Sequence, residues 1–371
     1  MPISILKHLV INDKNTVKIK KKMKKYLYIA IASATLASCS QDDTLDVIQG
    51  EAISFSNAFI ENSTRAIDPS FGANGKDLTS FRVWGEVEGS QNGTATWVSI
   101  FKNDEVTGSV GDDVWNCDKT QYWIVGADYQ FAAVVNGGTD ESKFTYTNNL
   151  PSAVTFTSTD GQTDLMYAGV VEEQGATSNN PVNFNFNHML AKAVFSVENT
   201  TNKGKTETSN YYYKISEVKI LNPKTTGTCT FASKAWTSTS QAAGSVYEFG
   251  NVTNASSKST DALTTAAIEI HDRDENKTSH RECMLIPHNY NETNGLLQVS
   301  FKVQLYMEVD NDSANDVLIS EETKTPTVAV NFQAGYSYNF NIKVGIGNQI
   351  QFTVTSQPTW TDATGEPEIT V

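Results

Sequence analysis

Strict alternation of apolar and polar residues constrains this chain more than any other feature. Leu297, Val299, Phe301, Val303, Leu305, Met307 and Val309 fall at every second position. Successive side chains of a strand point to opposite faces, so this spacing predicts a long strand with one face buried. The pattern recurs. Phe81, Val83, Gly85 and Val87 alternate with Arg82, Trp84, Glu86 and Glu88. Tyr129, Phe131, Ala133 and Val135 form a further run, and Val182, Phe184 and Phe186 alternate with three asparagines. Tyr336, Tyr338, Phe340, Ile342, Val344 and Ile346 lead into Gly347-Asn348, after which Ile350, Phe352 and Val354 resume the period. Two such runs around a Gly-Asn pair predict a hairpin. Gly, Asn, Ser and Thr clusters separate the runs, as at Asn136-Gly137-Gly138 and across residues 200–209 and 251–260. They read as loops. Many short strands with turn signals, and no long amphipathic helix pattern after residue 39, point to an all-β fold of sandwiches.

The phase of the alternation slips between Phe186 and Leu190. Val182, Phe184 and Phe186 are even-numbered, whereas Ala193, Phe195 and Val197 are odd. A one-residue shift turns a strand over, so the slip requires a bend, a bulge or a new element. A chain of 371 residues is longer than one core usually holds. The slip is therefore expected to mark the passage from one sandwich to the next.

The N-terminal region reads differently. Lys20, Lys21, Lys22, Lys24 and Lys25 precede an apolar run over residues 26–37, which is too short to span a bilayer. The run ends in Leu36-Ala37-Ser38-Cys39. This is similar to a bacterial lipobox: a branched apolar residue, two small residues that let a peptidase cleft admit the extended backbone, and the cysteine whose thiol takes the lipid. Residues 1–38 are expected to be a signal peptide, with Met23 its expected start, 1–22 an upstream extension, and Cys39 the lipidated residue.

The formal charge is −14, and residues 1–38 carry eight lysines against one aspartate, so the chain from Cys39 onward is more acidic still. Such a surface repels phosphate backbones, and no nucleic-acid partner is expected. Beyond Cys39 the cysteines are Cys117, Cys229 and Cys283. Their odd number and wide spacing do not form a disulfide framework. Three unpaired thiols are expected, with one bridge plus one free thiol as the alternative.

Candidate chemistry is sparse. The histidines after Cys39 are His188, His271, His280 and His288, and no HExxH, CxxC, GxSxG or Gly-rich phosphate loop is present. His271, Asp272, Asp274, Glu275 and His280 read as a charged loop rather than a metal site. Asp310, Asp312 and Asp316 lack the ligand spacing of an EF-hand. His188, beside apolar residues, reads as a buried structural histidine. Trp84, Trp97, Trp115, Trp123, Trp236 and Trp360 read as core or sheet-face residues, with sugar stacking as the alternative. No catalytic residue, metal or cofactor is expected.

Several segments taken together resemble one family. They are the lipobox; Ser40-Gln41-Asp42-Asp43, similar to a surface-export signal; Thr64-Arg65-Ala66; Asp164-Leu165-Met166-Tyr167-Ala168; the run from Phe184 through His188-Met189-Leu190-Ala191-Lys192; Met284-Leu285-Ile286-Pro287; and Ala334-Gly335-Tyr336-Ser337-Tyr338. In order and spacing they resemble the fimbrillin family of Bacteroidetes lipoproteins, which includes pilus subunits. The resemblance implies two transthyretin-like β-sandwich domains in tandem, expected at 66–187 and 188–371 behind a lipidated leader at 39–65. It also implies an outer-membrane lipoprotein on the cell surface, in a fimbria assembled after proteolysis, with no enzymatic activity.

Residues 51–59 fit that implication, because Ile53 and Phe55 alternate with Ser54 and Ser56. Laid along the N-terminal sandwich and removed by a cut between Arg65 and Ala66, this strand would leave an apolar groove and an open edge. A neighbouring subunit's strand would fill it, with the hairpin at 336–356 as the expected donor. Expected partners are other fimbrial subunits, host or bacterial surface ligands, and the membrane through the lipid. The alternative function is a surface glycan-binding β-sandwich lipoprotein. A glycoside hydrolase is a third class, but no carboxylate pair stands in a recognisable context.

Overall fold

The computed structural model describes residues 49–56, 59–60, 78–91, 93–109, 114–199, 211–249, 253–255, 268–269, 282–307, 309, 315–344, 350–357 and 368–370. Among them the chain is mostly strand, with a 3-10 turn at Glu141–Lys143 and no α-helix. The first eleven strands are β1 (Gln49–Ala52), β2 (Phe59–Ile60), β3 (Ser80–Gln91), β4 (Thr94–Thr107), β5 (Asn116–Cys117), β6 (Tyr122–Ile124), β7 (Asp128–Val135), β8 (Phe144–Thr147), β9 (Leu150–Thr157), β10 (Met166–Gln174) and β11 (Asn185–His188). Then follow β12 (Ala191–Asn199), β13 (Tyr211–Ile220), β14 (Thr226–Thr230), β15 (Ala235–Ser240), β16 (Tyr247–Phe249), β17 (Thr253–Ala255), β18 (Ile268–Glu269), β19 (Glu282–Leu285), β20 (Asn289–Tyr290), β21 (Leu297–Met307), β22 (Val317–Lys324), β23 (Thr327–Val328), β24 (Val330–Asn331), β25 (Ser337–Val344), β26 (Ile350–Gln357) and β27 (Glu368–Thr370).

A seven-stranded sheet in the order β2-β11-β10-β7-β3-β4-β5 organises the first half. Its odd-numbered side chains on β3 and β7 behave as the period predicts: Phe81, Val83, Tyr129, Phe131 and Ala133 are buried. The even face is buried as well. Trp84 and Glu86 are fully covered, and so are Ala132 and Val134. The cover is a second sheet, β15-β14-β9-β8, reached by Trp84 packing on Phe144 with ring centroids 5.0 Å apart. Gly85 is needed at the middle of β3 because a Cβ there would meet the rings of both Phe131 and Phe101.

Two sheets enclose the second core. One runs β18-β12-β25-β26-β27, with β12 and β25 parallel and β19 also on β12; the other runs β16-β13-β21-β22. The hairpin is present, with β25 and β26 antiparallel from Ser337↔Gln357 to Val344↔Ile350. On β21, Leu297, Val299, Phe301 and Val303 are buried, but Leu305 and Met307 are half-buried and Val309 lies exposed beyond the strand end. The alternation outlasts the core because the strand runs past its edge.

The phase slip is a change of sheet. β11 pairs with β10, β12 pairs with β25, and Met189 and Leu190 between them are both buried in the first core. One core runs from Ile53 to Leu190 and the other begins at Ala191. Sequence order does not divide them cleanly. The β14–β15 hairpin pairs with β9, and Cys229, Phe231, Met284 and Ile286 enter the first core. Phe231 stacks on Tyr167 at 4.2 Å.

Candidate functional site

Residues 49–56 form an interior strand of the first half rather than a strand on its surface. On one side β1 pairs antiparallel with β6, Gln49 opposite Ile124 and Ala52 opposite Tyr122. That side continues with the N–H of Ile53 donating to the Gln121 carbonyl at 2.7 Å, and the N–H of Trp115 donating to the Phe55 carbonyl at 2.8 Å. On the other side the bonds go to residues 177–182. Glu51 N–H donates to Thr177, Val182 N–H donates to Ser54, and Ser56 N–H donates to Val182. Phe55 thus bridges Trp115 antiparallel and Val182 parallel. The path continues as β2, parallel to β11, with Phe59 opposite Asn185 and Ile60 opposite Phe186.

The alternation decides which side chains enter the slot. Ile53 is buried, and Phe55 has no exposed surface. The Phe55 ring lies edge-on to Phe81, Phe101 and Phe131 and stacks on Phe184, with centroids 5.5 to 6.3 Å away. Ser54 and Ser56 lie on the opposite side, and Ser56 Oγ bonds Asn183. Trp115 reaches into the same core because Gly108 leaves room; a Cβ there would overlap its indole. Tyr129 supports the β6 wall. Its hydroxyl accepts from Ile124 N–H at 2.7 Å, and burial pushes its pKa up to about 12, so it is a phenol at neutral pH.

The slot narrows at one end. Gly126 N–H donates to the Gly175 carbonyl and Gly175 N–H to the Ala127 carbonyl, tying the two walls together beside Gly50. A Cβ on Gly50 would overlap the Ala176 carbonyl oxygen and stand 3.0 Å from Trp123 Cβ.

Of the residues singled out in the sequence, Ile53 and Phe55 occupy this site, and Phe81, Trp115, Trp123, Tyr129, Phe131, Val182 and Phe184 surround it. Cys39, Arg65 and Ala66 lie outside the described residues, as do His271, His280, Asp310, Asp312, Trp360 and the Gly347-Asn348 turn. Cys117, Cys229 and Cys283 are free thiols. His188 is buried, with Nδ1 2.6 Å from the buried Asp164 carboxylate. The contact joins β11 to the segment leading into β10. Trp84, Trp115 and Trp123 are core residues, and Trp236 is partly buried with its indole N–H on the Met189 carbonyl. The walls of the slot, from Trp115, Gln121, Thr177 and Val182, carry no sequence motif, since they contribute backbone atoms. Only Gly50, Gly108 and Gly175 hint at close approach.

A family model described as fimbrillin-like matches residues 64–358. The chain belongs to the fimbrillin-like family. A solved structure of a fimbrial protein from Bacteroides vulgatus is similar in fold, at 15% identity, covering 83% of this chain and 100% of that one with a TM-score of 0.52. Weaker likenesses include a proposed cell adhesion protein from Bacteroides ovatus (16% identity, 85% and 99% coverage, TM-score 0.45) and a fimbrial assembly protein from Parabacteroides distasonis (11%, 82% and 96%, TM-score 0.35). No curated protein sequence matches the chain. Among the described residues no helix is long and apolar enough to cross a membrane, and no group of three His, Cys, Asp or Glu is placed to hold a metal.

Proposed function

We propose that this fimbrillin-like chain is a subunit of a surface fimbria, or an adhesin associated with one, held on the outer membrane by lipid on Cys39 and assembled by strand exchange. One observation carries the reading. Residues 49–56 are bonded to the chain on both sides and bury Phe55 in the first core, yet they precede Arg65, so a cut between Arg65 and Ala66 makes them a separate fragment. Loss of that fragment would open two backbone edges and an aromatic chamber together, which is the form of site that accepts an extended strand.

The donor reading narrows within the hairpin at 336–356. β25 is paired on both sides over its whole length, with β12 and with β26, and Tyr338, Phe340 and Ile342 are buried. It lies between two strands of the second core. β26 also buries Phe352 and Val354 in that core, but among the described residues its outer side meets a neighbour, the three-residue β27, at residues 353–355 alone. In sequence, Gly347 ahead of β26 and Ile350 and Phe352 within it repeat the spacing of Gly50, Ile53 and Phe55. The donor in this reading is therefore β26 of a neighbouring subunit. The two-domain division at 66–187 and 188–371 belongs to the same reading, with the shared sheet of β9 and β14 joining the halves.

A glycan-binding surface protein is the second reading, but burial of Trp84, Trp115 and Trp123 removes three of its candidate stacking platforms. A structural role without catalysis also suits a chain whose free thiols and His188 are committed to packing. The deciding experiment is electron microscopy of purified protein treated with an arginine-specific protease. Filaments are expected after treatment; dispersed monomers at high concentration would count against assembly by this route.

A further inference from the structure

The slot differs along its length. Around Phe55 it is a chamber of packed rings, with centroids 5.5 to 6.3 Å from that of Phe55. Around Gly50 it is a neck made of backbone. The Ala176 carbonyl oxygen and the Trp123 Cβ stand where a Gly50 side chain would begin. Neither is the far end of a flexible side chain that could rotate away. Gly175 forms the neck, since a Cβ there would overlap the Ile124 carbonyl oxygen on the facing wall, and the Gly126 and Ala127 bonds to Gly175 hold the walls at that distance. Ala176 N–H is in turn fixed by Asn179 Oδ1 at 2.7 Å.

We infer that this neck sets the register of any strand that occupies the slot, admitting only glycine at the position of Gly50. The inference rests on the strand-exchange reading and adds a rule for what the slot accepts. Pockets that take alternate side chains of an added strand fix which face it presents. Here they also fix where it stops. A strand sliding by two residues keeps its apolar face inward but brings a Cβ into the neck. The acceptable sequence is glycine, two residues of free choice, a large aliphatic, a polar residue and an aromatic, as in Gly50-Glu51-Ala52-Ile53-Ser54-Phe55. The chamber alone would accept many alternating strands, and the neck rejects those without the glycine.

The test uses the full chain with residues 62–65 replaced by the recognition sequence of a site-specific protease. After the cut, a labelled peptide spanning residues 49–59 is offered and its exchange for the resident fragment is measured. Three substituted peptides are compared with it: Gly50→Val, Glu51→Ala and Phe55→Ala. Glu51 is exposed, so Glu51→Ala should bind within a few-fold of the parent. Gly50→Val must displace backbone to enter and should bind at least about 10-fold more weakly, comparable to Phe55→Ala. Equal binding by the parent and Gly50→Val peptides overturns the register rule while leaving the slot intact. Failure of the parent peptide to exchange at all overturns the strand-exchange reading, and the rule with it.

Discussion

The N–H of Trp115 donates to the carbonyl of Phe55 across 2.8 Å, while Phe55 pairs on its other side, in parallel, with Val182. A residue near the start of the chain is thereby placed between two later segments, in the position of an interior strand. Apolar rings and backbone bonds lie in one place, so the same residues hold the strand and define what can replace it.

Phe55 should dominate that attachment. Its ring touches four phenylalanines and has no exposure. Truncating a buried aromatic to Ala costs about 3–5 kcal/mol through lost transfer energy and the cavity left behind. Phe55→Ala in the uncut chain should lower equilibrium stability by that amount in urea. Ser54→Ala, one residue away on the opposite side, should change it by less than about 0.5 kcal/mol. Equal effects from the two would show that the ring chamber does not hold the strand.

Glu86 predicts a pH dependence. It is fully buried on β3, where one carboxylate oxygen accepts from the Asn149 backbone at 3.1 Å and its side chain at 2.9 Å, while the other has no hydrogen-bond partner. Burial raises its pKa, and the Asn149 bonds only partly oppose this. An unfolded Glu titrates at about 4.3. Between that value and the raised native one, the folded chain holds more protons than the unfolded chain, so stability falls as pH rises through the window. Glu86→Gln removes the titration. Its stability relative to wild type should be higher at pH 7 than at pH 4, read from urea melts at both. A relative stability that does not change with pH would contradict a costly buried carboxylate.

Much of this architecture was legible because period-two patterning is local. Phe81, Phe131, Phe301 and Phe340 announce their strands and their buried faces, and the slip after Phe186 announces a change of sheet. The even face of β3 was legible only in part, since Trp84 reads as a core or sheet-face residue but Glu86 does not. Glu86 looks like the wet side of a strand until β8 and β9 cover it, and that cover is a long-range event. The pairing of β14 with β9 was hidden for the same reason. Thr226, Thr228 and Thr230 alternate with Gly227 and Cys229 whatever strand lies beside them. Within the site, Ile53 and Phe55 were visible, but the reason for Gly50 sits on the Ala176 carbonyl, far away in sequence.

Thiol reactivity should follow burial. Cys117 is half-buried, with its pKa pushed up to about 11 by burial and by Asp118 and Asp104; burial alone pushes Cys229 to about 12, and burial with Asp160 and Glu282 nearby holds Cys283 well above the ordinary thiol value. Thiolates are the reactive form. At pH 7.5 the folded protein should therefore alkylate slowly at Cys117, and at Cys229 and Cys283 only after denaturant. Mass spectrometry of labelled peptides measures this. Rapid modification of Cys283 in the native protein would contradict its placement in the second core.

Anchoring is tested separately from fold. If Cys39 takes the lipid, Cys39→Ala should move the protein from the detergent phase to the aqueous phase and leave an uncleaved, heavier precursor. Detergent-phase partitioning unchanged by the substitution would remove the lipid from the reading.

Cutting and release should be distinct events. Each large apolar side chain that is fully buried contributes about 1.5–3 kcal/mol, and the fragment ending at Arg65 retains both Ile53 and Phe55 along with its backbone bonds to Trp115, Gln121, Thr177 and Val182. A cut between Arg65 and Ala66 should therefore leave the fragment in place until another strand displaces it. Cut wild-type protein should assemble with a rate that rises with its own concentration, since the incoming strand competes for an occupied slot. Arg65→Ala, carried through the same protease treatment, keeps its strand tethered and should stay monomeric by light scattering. Filaments from Arg65→Ala at the wild-type rate would show that removal of residues 49–56 is not what licenses assembly, and strand exchange at this slot would then be abandoned even though the fimbrillin-like fold stands.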